Sequence, residues 1–317
     1  MTRVAAIDCG TNSIRLLIAE RVAGRLRDVD RQMRIVRLGE GIDATGHFAP
    51  AALARTLAAV AEYAELITAA GVANVSMIAT SAARDAGNRQ ELSDGVRALL
   101  GIEPIIIDGQ TEARLSFLGA TGSLRERFPS PFLVIDLGGG STEIVLGRHD
   151  HVAGISPDAG VAAALVRASH SMDVGCVRMT ERHGTGEAAI RADVAAALDR
   201  AAADVPWQEA ASVIGVAGTV TTVAAAYLGL THYDPLLLHG AVIPRSGVSE
   251  VAQMFAGMTD VQRAALPYMH PGRVGVISAG AIVLDEVLAR IGAEDLIASE
   301  HDILDGLAES MMDGRVP

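Results

Sequence analysis

The stretch Val134-Ile135-Asp136-Leu137-Gly138-Gly139-Gly140-Ser141-Thr142-Glu143-Ile144-Val145-Leu146 decides how the rest of the chain is read. An apolar run ends in an acid, three glycines follow, then two hydroxyl residues and a second acid, then another apolar run. The pattern predicts a β-hairpin whose turn holds phosphate. Glycines let the backbone take positive φ and let N–H groups come close to an anion. Asp136 and Glu143 flank that turn as hard oxygen ligands suited to Mg2+, which bridges one or two carboxylates and the phosphates of a substrate. A glycine-rich hairpin with a solvated acid at each end fits the same residues, so the remainder of the chain has to decide.

A second copy of the pattern stands at the beginning. Val4 to Asp8 reads as a strand, Cys9-Gly10-Thr11-Asn12-Ser13 as a polar turn, and Ile14 to Glu20 as a returning strand. Both copies run strand, acid, any residue, glycine, hydroxyl or amide residues, strand, so the chain looks internally duplicated. Two related halves facing one cleft is the simplest expectation. Between the copies, Arg25 to Leu38 predicts a strand. Pro50 opens a helix whose apolar residues recur at helical spacing up to Ile67, and Gly71 closes it. Val75 to Thr80 reads as a buried strand, Asn88 with Glu91 as a capping box for a helix to Leu100, and Ile102 to Asp108 as a strand. Gly109 to Gly122 reads as a helix.

After the second hairpin, Val161 to His170 and Glu187 to Ala203 predict Ala-rich helices. Val213 to Val216 is a strand that stops at Ala217-Gly218-Thr219, and Val220 to Leu228 continues as a helix. That arrangement aims helix N-terminal N–H groups at whatever lies beyond the strand end. Ser246 to Met258, Val274 to Ile291 and Asp302 to Met312 are expected helices. Strands alternating with helices predict an α/β protein with mixed sheets.

With 317 residues, half of them hydrophobic, the chain is long enough for two domains with sizeable cores and is globular. No run of about 18 uncharged apolar residues predicts a membrane span. Met1-Thr2-Arg3 leads straight into a strand rather than a signal peptide, so a cytoplasmic protein with no membrane partner is expected. A net charge of −12 argues against non-specific binding of nucleic acid. All 26 basic residues are Arg, and the lack of Lys excludes a Walker P-loop, a Schiff-base lysine and a Ser-Lys dyad. Cys9 and Cys176 make neither a disulfide framework nor a metal cluster and read as small buried hydrophobes.

Five motifs now stand in order: Asp8-Cys9-Gly10-Thr11-Asn12-Ser13, Thr80-Ser81-Ala82-Ala83-Arg84, Gly109-Gln110-Thr111-Glu112-Ala113-Arg114, Asp136 to Glu143, and Ala217-Gly218-Thr219. In these the chain resembles the exopolyphosphatase and guanosine pentaphosphate phosphohydrolase family over nearly its whole length. The resemblance implies two ribonuclease-H-like domains of the actin-like and sugar-kinase superfamily around a cleft. Residues 1–120 form the first, to which the C-terminal helix 300–317 is allowed to return, and residues 121–299 form the second.

The resemblance also implies roles. Glu112 matches the general base, and its place in the first turn of a helix suits an ionised carboxylate. Asp136 and Glu143 match the metal-binding acids, with Glu143 also placing the attacking water. Asp8 is a weaker third acid, for which capping of the turn is an equal alternative. Gly10, Thr11, Asn12, Ser13, Gly138, Gly139, Gly140, Ser141, Gly218 and Thr219 match the phosphate clamps, and Arg84 a phosphate contact. Ser171 to Arg182 resembles the segment after the second hairpin, with Gly175 and Arg178 as further candidates for touching the polyanion. Long members carry an extra C-terminal HD-like domain, which this chain is expected to lack. Leu304-Asp305-Gly306 has an acid where many long members place a basic residue.

The expected activity is Mg2+-dependent release of terminal phosphate from inorganic polyphosphate, with Mn2+ as an alternative ion and short chains preferred. Hydrolysis of guanosine pentaphosphate at its 5′ end is the alternative, with weak nucleoside triphosphatase activity as a variant. A non-catalytic sensor that keeps the clamp is the alternative of another class, and Glu112 together with Glu143 speaks against it. Aromatic residues make up 3% of the chain, too few for a strong base-stacking platform, which favours polyphosphate. A homodimer is implied by the resemblance alone. Arg25, Arg27, Arg31, Arg34 and Arg37 read either as a basic path for a polyanion or as an Arg-rich exposed strand.

Overall fold

The computed structural model describes residues 3–149 and 164–315. Among these, residues 3–119 and 303–315 form one compact unit, and residues 120–149 and 164–302 the other. In the first unit β1 (Arg3–Cys9), β2 (Ser13–Val22), β3 (Arg25–Ile35), β4 (Asn74–Ala79) and β5 (Ile105–Ile106) make a sheet of order β3-β2-β1-β4-β5. The first three strands run as an antiparallel meander, and β4 and β5 join in parallel. Side chains of β1 alternate between two cores. Ala5, Ile7 and Cys9 pack with Val60, Tyr63 and Ile67 of the Pro50–Ala69 helix. Val4 and Ala6 pack with Leu115 of the Gly109–Gly122 helix and with Leu304 and Leu307 of the Ile303–Met312 helix. Burial on both faces is why Val4 to Ile7 of this strand are apolar without interruption.

The second unit contains β6 (Phe132–Leu137), β7 (Thr142–His149), β8 (Ala164–Met172), β9 (Ser212–Val216), β10 (Val242–Pro244) and β11 (Asp295–Ala298). Its order is β10-β11-β9-β6-β7-β8, so β8-β7-β6-β9-β11 repeats β3-β2-β1-β4-β5 and β10 is an added antiparallel edge. The duplication seen in two hairpins therefore extends to whole sheets, and the fold is α/β with two ribonuclease-H-like sheets. Leu133, Ile135 and Leu137 of β6 face a core with Ile190 and Val194 of the Glu187–Ala201 helix and Val283 and Leu284 of the Ile277–Ile291 helix. Asp136, on the alternate register, takes the other face.

Three local expectations need correction. The predicted helix Val161 to His170 is strand β8 from Ala164 onward, and residues 161–163 lie outside the described residues. Alanine favours helix locally, but this segment pairs with β7 residue by residue, for example Ser169 with Val145 and His170 with Ile144, and tertiary pairing overrides propensity. Asn88 makes no cap for the Arg89–Leu100 helix. Its carboxamide instead accepts from Phe48 N at 2.7 Å and donates to Phe48 O at 3.3 Å. The strand expected over Ile102 to Asp108 shrinks to the two residues of β5 at the sheet edge.

Much of the arginine-rich β3 is neutralised by carboxylates. Arg27 pairs with Glu20, Arg34 with Glu62 at 3.0 Å, and Arg31 with Asp28 at 2.7 Å and Asp305 at 2.5 Å. The acid at position 305 is thus matched by a cation from β3. Both cysteines are buried. No described helix is long and apolar enough to cross a membrane.

Candidate functional site

The register of the second hairpin sets Asp136 directly opposite Glu143, and β8 sets Ser171 opposite Glu143. Residues so opposed point to one face with Cβ atoms about 4.5–5.5 Å apart. Asp136 and Glu143 are 8% and 1% exposed, and Ser171 Oγ donates to Glu143 Oε1 at 2.7 Å. Two opposed carboxylates repel each other, a cost that a cation between them removes. The donor set fits a hard ion such as Mg2+, which needs only one or two carboxylates besides water and phosphate oxygens. No cluster of three or more His, Cys, Asp or Glu side chains suited to a metal occurs among the described residues.

The turn of this hairpin is closed by Gly138 N donating to Ser141 O at 3.0 Å. Its carbonyls are all engaged. Gly138 O accepts from Cys176 N at 3.0 Å, Gly139 O from Val177 N at 2.8 Å and Arg178 N at 3.1 Å, and Gly140 O from Arg178 Nε at 2.7 Å. The N–H groups of Gly139 and Gly140 donate to nothing among the described residues. Gly175, just before the Cys176–His183 helix, lies so close that a Cβ there would sit 2.4 Å from Gly139 O. Gly138, Gly139 and Gly140 are not at positive φ, contrary to expectation. Close approach explains the glycine at 175.

The first hairpin closes the same way, Gly10 N to Ser13 O at 3.0 Å, and the carbonyls of Thr11 and Asn12 are engaged. Thr11 O accepts from Gly39 N at 2.9 Å, and Asn12 O from Val36 N at 3.0 Å and Arg37 N at 2.9 Å. The Thr11 hydroxyl pairs with that of Ser81 at 2.9 Å. The difference lies in the opposed pair. Asp8 faces Arg15, whose Nε and Nη2 reach Asp8 Oδ2 at 3.1 and 2.6 Å. The weaker of the three acid candidates thus carries a protein cation where its counterpart carries a second acid.

Glu112 lies in the first turn of the Gly109–Gly122 helix and is 7% exposed. Asp108 precedes that helix and accepts from Thr111 N at 2.8 Å, a bond that holds the Asp108 carboxyl below the usual carboxylate range. Arg84, at the end of the short Ser81–Asp85 helix after β4, donates through Nη1 to Glu112 Oε2 at 2.5 Å and to Ile107 O at 3.0 Å. The residues expected as phosphate contact and as base are therefore partners, and the guanidinium fixes the carboxylate's direction.

Gly218 and Thr219 open the Ala217–Tyr227 helix after β9. Ala217 sits at φ 73°, in the left-handed region that a residue with a Cβ enters only under strain. Thr219 is buried, and a Cβ at Gly280 would come within 2.7 Å of its hydroxyl. Gly218 is covered by Arg273, whose Cζ would lie 2.7 Å from a Cβ placed there. Arg273 Nη1 donates to Thr222 Oγ1 at 2.9 Å, and its guanidinium lies 5.9 Å from the Tyr233 ring centroid. No carboxylate pairs with Arg273 among the described residues. Arg273 was not singled out from the sequence, and Ser171 was named only as the start of the segment Ser171 to Arg182, with no role of its own. A β-strand reading of 164–172 would have placed Ser171 beside Glu143, whereas Arg273 is brought in by tertiary packing alone.

The repeated sheet order, with a glycine-bearing turn after the first strand of each copy, defines an actin-like ATPase fold. The chain belongs to the Ppx/GppA phosphatase family, whose sequence model matches residues 17–314. It is 47% identical to exopolyphosphatase 2 of Mycobacterium tuberculosis, covering 98% of this chain and 99% of that one. Among solved structures, an exopolyphosphatase-like protein superposes with a TM-score of 0.89 at 39% identity, covering 98% of this chain and 97% of the other. The Aquifex aeolicus member of the Ppx/GppA family superposes with a TM-score of 0.78 at 27% identity, over 99% and 98%.

Proposed function

We propose that this protein is an exopolyphosphatase that hydrolyses the terminal phosphate from inorganic polyphosphate with a bound divalent ion, Mg2+ or alternatively Mn2+. The buried Asp136–Glu143 pair beside a turn with outward amides carries the reading. The relative at 47% identity, named an exopolyphosphatase, supports it. Asp136 and Glu143 would hold the ion, which would supply charge neutralisation at the phosphoryl oxygens and a lowered pKa of water. The amides of Gly139 and Gly140 bind phosphate oxygens, and the Arg273 guanidinium adds positive charge at Gly218. Glu112, aimed by Arg84, takes a proton from the attacking water at a carboxylate oxygen. Such chemistry rests on positioning and electrostatics and needs no covalent nucleophile. Burial pushes both thiols, Cys9 and Cys176, up and keeps them uncharged.

One observation favours this reading over guanosine pentaphosphate hydrolysis. Tyr233, the aromatic residue beside Arg273, has its hydroxyl tied to Thr221 at 2.8 Å and Glu300 at 2.6 Å and its ring near Arg273. It is occupied as a brace rather than presented as a platform for a base. The same proposal has the protein act as a cytoplasmic homodimer, which light scattering of the purified protein tests. The activity is tested by phosphate release from short polyphosphate, long polyphosphate, guanosine pentaphosphate and ATP, with Mg2+ and with chelator. Short polyphosphate turning over fastest, and only with the ion, is the expected outcome. Faster release from guanosine pentaphosphate or ATP overturns the substrate, and binding without release favours a sensor.

A further inference from the structure

We propose that Arg178, together with the first turn of the Cys176–His183 helix, is a positioning device that sets the peptide orientation of the Gly138–Ser141 turn. The inference rests on the reading of that turn as the phosphate-holding element. In a trans peptide the N–H points opposite to the carbonyl that precedes it. Whatever pins the carbonyls of Gly138, Gly139 and Gly140 therefore also aims the N–H groups of Gly139, Gly140 and Ser141. The helix pins the first two through the amides of Cys176, Val177 and Arg178, and the Arg178 side chain pins the third through Nε at 2.7 Å. Three consecutive amides are thereby turned away from the helix, free to donate to an anion on that side.

A helix N-terminus ordinarily binds an anion with its own free amides. Here those amides are spent on loop carbonyls, and the loop amides take their place at the anion. Gly175 makes this possible, because any Cβ there would collide with Gly139 O and Gly140 C. The first hairpin offers an independent instance of the same device. Gly39, Val36 and Arg37 pin the carbonyls of Thr11 and Asn12 with backbone amides only. In the second hairpin the last carbonyl is held by a half-buried side chain, which substitution can remove.

Arg178→Ala, Arg178→Met and Arg178→Lys are compared with wild type by thermal melting, by kcat and KM on tripolyphosphate, and by calorimetric affinity for tripolyphosphate in a Glu112→Gln background. The expected result is a fall in kcat of about 10- to 100-fold in Arg178→Ala and Arg178→Met, since loss of one oriented donor costs up to about 1000-fold. Affinity falls by about tenfold or more while melting changes little, and Arg178→Lys, which keeps a donor for Gly140 O, recovers most of both. Should Arg178→Ala fail to fold, the Met and Lys variants alone decide. Folded Ala or Met variants with turnover and affinity within about twofold of wild type overturn the device but leave the proposed function standing. A wild-type protein that neither binds nor hydrolyses tripolyphosphate overturns both.

Discussion

Asp136 and Glu143 stand directly opposite each other across β6 and β7, both buried, whereas the matching position in the first hairpin joins Asp8 to Arg15. One copy of the duplicated hairpin opposes an acid to a base, and the other opposes two acids, each of which brings a negative charge when ionised. Glu143→Gln removes one of those charges, so in chelator the variant is expected to be as stable as wild type or more stable by about 0.2–1 kcal/mol. Mg2+ is expected to raise the melting temperature of the wild type and not of the variant, because a ligand stabilises only the state that binds it. Equal stabilisation of both proteins by Mg2+ places the ion elsewhere.

Glu112→Gln keeps a carbonyl oxygen for Arg84 Nη1 and the same shape in the first turn of the Gly109–Gly122 helix. The fold is therefore expected to survive. Loss of a positioned base costs about 10²–10⁴ in rate, so kcat for phosphate release falls by that range with KM little changed. Near-normal turnover by the folded variant removes Glu112 from the mechanism.

Gly306 of the Ile303–Met312 helix lies against the carbonyl of Leu115, where a Cβ would fall 2.0 Å from Leu115 O and 3.2 Å from Gly119 N. Leu115 is nearly one turn beyond Glu112 on the same helix. Gly306→Ala must push that helix aside, and overpacking of this kind costs about 1–3 kcal/mol. Urea denaturation should register the loss, and kcat should fall alongside it as the Glu112–Arg84 contact is displaced. An Ala variant of wild-type stability shows that the two helices are free to part.

The two hairpins were legible because their signals are local: an acid, a glycine and returning apolar alternation on either side of a short turn. The same arithmetic already contained the opposed pairs, since Asp8 and Arg15 are equidistant from the centre of their turn, as are Asp136 and Glu143 from theirs. The Gly109–Gly122 helix was readable for a similar reason, its ends being marked by glycines. Strand β8 was not readable, because alanines that favour helix are held extended by β7, and with it went Ser171 as a donor to Glu143. Arg178 and Arg273 act through distant neighbours, Gly140 O and Gly218. Their roles depend on how close two backbones pass, which no spacing in the chain records.

His239 accepts from Glu300 N at Nδ1, 3.3 Å away, so its proton resides on Nε2 and donates to Ser123 Oγ at 2.9 Å. Ser123 then turns its hydroxyl proton to His301 Nδ1 at 3.2 Å, and the two imidazoles lie 4.6 Å apart. Burial first, then the charges of His301 and Arg127, lower the His239 pKa from 6.5 to about 4. The folded protein keeps this ring neutral while the unfolded chain protonates it. Unfolded molecules therefore bind more protons between about pH 6.5 and 4, and the folded state loses stability as pH falls through that window. At about 1.4 kcal/mol per unit that window corresponds to at most about 3.5 kcal/mol, which solvent screening of the partly exposed ring reduces. His239→Gln, which keeps an acceptor and a donor but does not titrate, is expected to flatten the urea midpoint between pH 7 and pH 4.5 relative to wild type. Parallel pH profiles for the two proteins would show that His239 is not the group responsible.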